Sequence, residues 1–210
     1  MKFSDFKVDP SWAEDKLTTQ QNFYKEIWED NEYFRQGLDV NENDVVVDCG
    51  AGIGIFALLA AKKKAKKIIS FESNANDYKY LVENCKKNKK ITTVNAFVNH
   101  RSINVAGDNL PKEQVDLEAI LDKYKLKTID FLKMDIEGEE LEVLQDLERS
   151  QIFFDYLIVE IDAVSLISFA NLYERIQKIR QFRKIASELE RKGFSICKVE
   201  GYNFHWIRNF

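Results

Sequence analysis

Two hydrophobic periods divide this chain of 210 residues. Val45, Val46 and Val47 are apolar without alternation, as in a strand buried on both faces. After Gly54 the run IFALLAAKKKAK has helix-forming composition. The pattern then predicts a strand over 67–72, a helix over 75–88, a strand over 92–98, an irregular stretch around Pro111 and a short helix over 114–124. Next come a strand over 129–135, a helix from near Glu137 to about Leu147 and a strand over 155–161. From Ser168 to Arg191, Leu172, Ile176, Ile179, Phe182, Ile185, Ala186 and Leu189 recur at helical spacing, and Gly193 supplies the cap. Segments 194–200 and 202–208 flank Gly201 and read as an antiparallel hairpin. Residues 11–37 carry Trp12, Phe23, Ile27, Trp28, Tyr33 and Phe34 among charges, which suggests one or two amphipathic helices.

Strands separated by helices imply parallel pairing with right-handed crossovers. The expected fold is α/β and Rossmann-like: a seven-stranded, mostly parallel sheet with helices on both faces and a C-terminal antiparallel hairpin. One domain is expected over 1–210, with a helical cap over 1–40 and the core over 41–210. The cap's aromatics are expected to pack on the body, with a lid over a ligand as the alternative reading.

Charge narrows the partners. A net charge of -4 and a pI near 5.4 predict no general nucleic-acid binding. Lys62, Lys63, Lys64, Lys66 and Lys67, and then Lys86, Lys87, Lys89 and Lys90, read as solvated helix ends that complement the dipole. No apolar run approaches the roughly 18 to 20 residues that cross a bilayer, and the N-terminus lacks an apolar signal core. A cytoplasmic protein with no membrane contact is expected. Cys49, Cys85 and Cys197 form no CxxC pair and read as reduced thiols, Cys49 as a small buried filler.

The candidate chemistry starts at VVVDCGAGIG, Val45 to Gly54. Strand, glycine loop and helix follow directly, so the unpaired N–H groups of the helix would face whatever the loop holds. Three details choose the ligand. Asp48 stands before the glycines, the spacing of Gly50, Gly52 and Gly54 is GxGxG rather than GxGxxG, and no Lys-Ser or Lys-Thr follows. Glu72, at the tip of the second strand, can accept hydrogen bonds from both ribose hydroxyls of an adenosine. Asp48 and the spacing favour the sulfonium cofactor S-adenosylmethionine over NAD. The predicted cofactor-binding residues are Asp48, Gly50, Ala51, Gly52, Gly54, Glu72, Ser73 and Asp135.

Ile129 to Leu144 reads IDFLKMDIEGEELEVL, with Lys133, Asp135, Glu137, Gly138 and Glu140 in a K-x-D-x-E-G-x-E pattern. This resembles the FkbM family of S-adenosylmethionine-dependent methyltransferases. VVVDCGAGIGIF resembles that family's first motif, FESN its second, and VDLEAIL the stretch before the fourth strand, so the resemblance spans roughly 44 to 161. Gly52 stands where the family commonly has Asn, Ser73 where it has Pro, and Glu139 where it has Ala. The resemblance implies O-methylation of a sugar or other small hydroxylated metabolite, so the expected partner is a small-molecule or glycan acceptor.

A hydroxyl must lose its proton near the transition state, which calls for a positioned base. Asp135 is the first catalytic candidate, at the carboxyl end of a predicted central strand, followed by Glu137 and His100. Glu160 and Asp162 with Asp135 could hold Mg²⁺, a lesser alternative to a site with no metal. Arg101 could hold an acidic substrate, and His205 reads as structural. Two rival activities stand beside the leading one. A nitrogen methyltransferase for nucleic acid or protein is disfavoured because KMDIEG stands where an Asp/Asn-Pro-Pro-aromatic tetrapeptide would be; the other is an NAD-linked oxidoreductase. A silent cofactor-binding module is the reading from outside catalysis.

Overall fold

The computed structural model describes residues 1–34, 39–99, 113–136, 140–149, 154–160, 172–200 and 203–208. The chain forms two compact units, the first from Met1 to Phe97 and the second from Gln114 to Phe210, with the connecting residues divided between them.

In the first unit, α1 (Glu14–Tyr24) continues into a π-helical turn, Lys25–Glu29, before β1 (Val45–Cys49), α2 (Ile55–Lys62), β2 (Lys67–Phe71), α3 (Ala75–Cys85) and β3 (Ile91–Val94). β1 pairs parallel to β2 with Val46 opposite Ile68, and β2 pairs parallel to β3 with Ile68 opposite Ile91. The unbroken valine run has its expected consequence: Val46 and Val47 are wholly buried, as are Ile68 and Ile69 beside them. α2 buries Ile55, Phe56, Ala57, Leu59 and Ala60, so it is an interior helix. α3 buries only Leu81 and Cys85 and turns its other faces outward.

The N-terminal residues are held to α2 and α3 by directional contacts as well as apolar ones. Trp28 Nε1 donates to the Ile55 carbonyl at 3.0 Å, and the Trp28 ring stacks on Tyr24 with centroids 5.7 Å apart. Phe34 stacks on Phe56 at 6.1 Å. Lys16 pairs with Asp77 at 2.8 Å.

β3 ends at Val94, short of the strand expected over 92–98, and extended pairing resumes only at the two-residue β4 (Phe97–Val98). Asn95 accounts for the break, because its side-chain amide turns back to the carbonyls of Glu72 and Ser73 at 2.8 and 3.3 Å.

The second unit runs through β5 (Gln114–Val115), α4 (Leu117–Tyr124), β6 (Ile129–Met134), α5 (Glu140–Arg149), β7 (Phe154–Glu160), α6 (Leu172–Arg191), β8 (Phe194–Glu200) and β9 (Asn203–Arg208). α4 starts later than expected because Asp116 caps it, its carboxylate accepting the Ala119 N–H at 2.7 Å. β6 and β7 are parallel, with Phe131 opposite Tyr156; β7 pairs antiparallel to β9, with Leu157 opposite Trp206. β8 and β9 pair antiparallel with a register shift between Ile196 and Lys198. Gly193 ends α6 at φ 89°, the left-handed conformation its cap requires. Phe182 of α6 lies 4.8 Å from Phe204, next to the wholly buried Trp206. Among the described residues no helix is long and apolar enough to cross a membrane.

Candidate functional site

The glycine loop follows β1, and Gly50, Gly52 and Gly54 all take left-handed φ values of 75°, 53° and 92°. The N–H groups of Gly50 and Ala51 both donate to the Phe71 carbonyl, at 3.0 and 2.9 Å, which ties the loop to the carboxyl end of β2. At Gly54 a Cβ would meet Cys85 Sγ at 2.9 Å and Leu81 Cδ1 at 3.0 Å, so glycine is needed for close packing on α3 as well as for φ. At Gly52 a Cβ would meet, among the described residues, Gln20 Oε1 of α1 at 3.9 Å.

Glu72 is the brace of this site. One carboxylate oxygen accepts the Gly52 N–H at 2.7 Å, and the other accepts the Asn74 N–H at 2.7 Å. The residue is 8% exposed, so the charge is largely withdrawn from water and compensated by backbone donors. Asn95 fixes the Glu72 and Ser73 carbonyls from behind, and Ser73 is half-buried. Asn74 caps α3, its Oδ1 accepting from Asn76 N–H at 2.9 Å and Asp77 N–H at 3.2 Å.

Asp48 is fully buried at the end of β1. Its charge reaches Cys85, whose thiol is pushed up to about 12, first by burial and then by the Asp48 carboxylate. Cys49 is buried as well, and both cysteines are free thiols.

The second unit carries the other candidate cluster. Lys133 Nζ lies 3.4 Å from Asp135 Oδ2, the lysine side chain being 2% exposed and the aspartate 28%. Glu140 Oε1 accepts the Ile136 N–H at 3.0 Å, so an acid in the first turn of α5 reaches back to the residues just after β6. Asp135 is thus the partly open carboxylate of a motif whose other described charges, Lys133 and Glu140, are buried. His100, Arg101, Glu137, Gly138, Glu139 and Asp162 lie outside the described residues, as do the side chains of Glu160 and His205. Among the described residues, no group of three His, Cys, Asp or Glu could hold a metal ion.

Three contributors were not anticipated. Asn74 carried a readable signal, an N-cap residue before a helical run. Asn95 and Gln20 carried none, because each acts across the fold.

A family model described as the TRM5/TYW2 methyltransferase domain matches residues 21–144, more than half of the chain. A tRNA(Phe) (4-demethylwyosine(37)-C(7)) aminocarboxypropyltransferase of Methanocaldococcus jannaschii is 36% identical over 100 residues, covering 47% of this chain and 40% of the relative. Hexuronic acid methyltransferase AglP of Haloferax volcanii is 22% identical over 204 residues, covering 86% of this chain and 81% of the relative. Methyltransferase FkbM of Methylobacillus flagellatus superposes with a TM-score of 0.56 at 20% identity, over 87% of this chain and 47% of that one, a likeness of α/β methyltransferase fold with a parallel sheet. The chain therefore spans less than half the length of the tRNA-modifying relative.

The expectation of a small-molecule or glycan acceptor with no nucleic-acid binding is corrected by the first of these relatives, an enzyme named for a tRNA substrate, which counts against the absence of nucleic-acid binding. The physical reason is that a net charge of -4 is an average over the chain. It conceals ten lysines within residues 62–90, and phosphates respond to local rather than summed charge. With the glycine loop, its brace and the β6 turn all inside the matched span, the chain belongs to the TRM5/TYW2 methyltransferase family of S-adenosylmethionine-dependent enzymes.

Proposed function

We propose that this chain transfers the methyl group of S-adenosylmethionine to an RNA of tRNA type, at a base. The observation that carries the reading is the 36% identity over 100 residues with a tRNA-modifying enzyme, within a family whose model is a methyltransferase domain. The activity expected from sequence as a rival, nitrogen methylation on nucleic acid, takes precedence over a sugar hydroxyl. The finer resemblance to FkbM proteins, and with it the sugar acceptor, keeps the 22% identity with AglP as its support and is the competing outcome of the test below.

The residues fit the cofactor. Glu72, set in place by the Gly52 and Asn74 N–H groups at 2.7 Å each, is the carboxylate for the ribose hydroxyls, and among the described residues a Cβ at Gly52 would meet Gln20 Oε1 at 3.9 Å. When bound, S-adenosylmethionine supplies an electrophilic methyl group on a cationic sulfur. Gly50, Ala51, Gly52 and Gly54 present backbone to it, Ser73 flanks the ribose anchor, and Asp48 adds negative charge from beneath the loop. Asp135 orients the acceptor and takes its proton, with the Lys133 ammonium 3.4 Å from its Oδ2. Glu137 and His100 are the next candidates for the base, and no metal is assigned a role. One domain with a single seven-stranded sheet ending in the hairpin, and action in the cytoplasm, complete the proposal.

The test uses two labelled cofactors, one carrying label in the methyl group and one in the carboxyl group, with an unmodified tRNA transcript and a hexuronic-acid glycan as acceptors. Methyl label in the nucleosides of digested RNA is the expected result. Label confined to the glycan would contradict the RNA reading, and carboxyl label entering RNA would mean that the aminocarboxypropyl group is transferred instead.

A further inference from the structure

We infer that the lysine-rich edge at the amino ends of β2 and β3, centred on Lys66, Lys87 and Lys89, docks the phosphates of the RNA substrate. The inference rests on the RNA reading above and adds to it a surface and a size for the substrate. The two lysine runs lie side by side: Ile68 N–H donates to the Lys90 carbonyl at 2.9 Å, and Lys90 Nζ donates to the Ala65 carbonyl at 2.9 Å. Some of the charge is already engaged. Lys63 pairs with Asp39 at 2.7 Å, Lys64 lies 3.9 Å from Glu42, Lys86 pairs with Glu83 at 2.7 Å, and Lys62 sits 4.8 Å over the Trp28 ring. Lys66, Lys87 and Lys89 are exposed and have no ion pair among the described residues.

Helix-dipole complementarity accounts for part of the pattern only. It covers Lys62, Lys63 and Lys86 at the ends of α2 and α3, but Lys66 and Lys89 belong to the turns that lead into strands. Lys64 holds a left-handed φ of 74° just past α2, where glycine would be less strained, so a cation is kept at a conformational cost. A cluster of unpaired ammonium groups on a chain of net charge -4 is a local electrostatic footprint that phosphates recognise without reading bases.

Position sets the substrate's size. The glycine loop and Glu72 lie at the carboxyl ends of β1 and β2, and the lysines lie at the opposite ends. A strand of five residues spans about 15 Å. A nucleoside at the cofactor end cannot also reach the lysines; a folded stem of several base pairs can.

The test compares the wild-type chain with a variant combining Lys66→Ala, Lys87→Ala and Lys89→Ala, none of which touches the cofactor loop, and with the corresponding three Lys→Arg changes. A tRNA stem-loop is titrated at several salt concentrations, and KM and kcat are measured for methyl transfer to it. The alanine variant is expected to bind RNA about tenfold more weakly or worse near 0.1 M salt. Its slope of log K against log[salt] should be shallower by about two to three, since each released phosphate contact contributes nearly one. S-Adenosylmethionine affinity and kcat at saturating RNA should be unchanged, and the arginine variant should bind like the wild type. If the wild type methylates RNA but the alanine variant has the same KM and salt slope, the docking inference falls and the function stands. If the wild type neither binds nor methylates RNA, both fall. Loss of binding to phosphatidylserine vesicles with RNA affinity intact would assign the edge to a membrane and overturn the inference.

Discussion

The two ends of the parallel strands in the first unit are built from opposite materials. At the carboxyl ends charge is buried and engaged: Glu72 is 8% exposed, and each of its carboxylate oxygens receives a backbone N–H at 2.7 Å. At the amino ends charge is exposed and much of it is unpaired, as at Lys66, Lys87 and Lys89. The difference teaches what each kind of charge is for. A carboxylate clamped by donors holds a loop in one shape, whereas solvated ammonium groups give attraction without geometry.

The sharpest way to break this comparison is at Glu72. Glu72→Ala removes two charge-assisted hydrogen bonds together with the proposed ribose anchor, so S-adenosylmethionine should bind about 10²- to 10³-fold more weakly, roughly 3 to 4 kcal/mol. Calorimetry checks it, and RNA affinity in the same variant should not move.

Gly54→Ala comes next. Its Cβ would lie 2.9 Å from Cys85 Sγ at φ 92°, and overpacking with left-handed strain should lower stability by about 2 to 3 kcal/mol. Urea denaturation at neutral pH reads this directly.

The third effect is a pH dependence confined to the buried end. Cys85 is raised from an ordinary 9.0 to about 12 by burial and by the Asp48 charge. Above 9 the unfolded thiol loses its proton while the folded one keeps it, so the unfolded state binds fewer protons and stability declines with rising pH. The contribution is complete below 9 and is lost as pH rises toward 12. The loss should reach about 1 to 2 kcal/mol near pH 10.5, at roughly 1.4 kcal/mol per unit. Cys85→Ala should flatten that part of the stability profile. The smallest expected effect is that of Asn74→Ala, which removes the α3 cap and should cost about 1 kcal/mol in the same denaturation assay.

How much of this was legible in the chain depended on the range of the interaction. Gly50, Gly52 and Gly54 were readable because a left-handed φ leaves few residue choices, and the Val45–Val47 run because burial on both faces removes alternation. Glu72 was readable as a strand-tip acid, yet its hold on Gly52 was not, since the two residues are far apart in sequence and meet only when β1 pairs with β2. Asn95, which cuts β3 short, and Gln20, over the loop from α1, act across the same kind of distance. The lysine runs are visible residue by residue, but a net charge sums acids elsewhere in the chain with lysines gathered in one stretch and so says little of a nucleic-acid partner. The β6 motif resembles that of FkbM proteins, and its described contacts, a buried lysine beside Asp135 and Glu140 bonded to Ile136 N–H, do not by themselves select an acceptor.

The most direct test of the division between the two ends is a crossed titration, in which S-adenosylmethionine and a tRNA stem-loop are each titrated against Glu72→Ala and against the Lys66, Lys87 and Lys89 alanine variant. The account predicts that Glu72→Ala loses the cofactor and keeps the RNA, while the lysine variant loses the RNA and keeps the cofactor. Equal losses of both ligands in either variant, or of neither ligand in both, would contradict it.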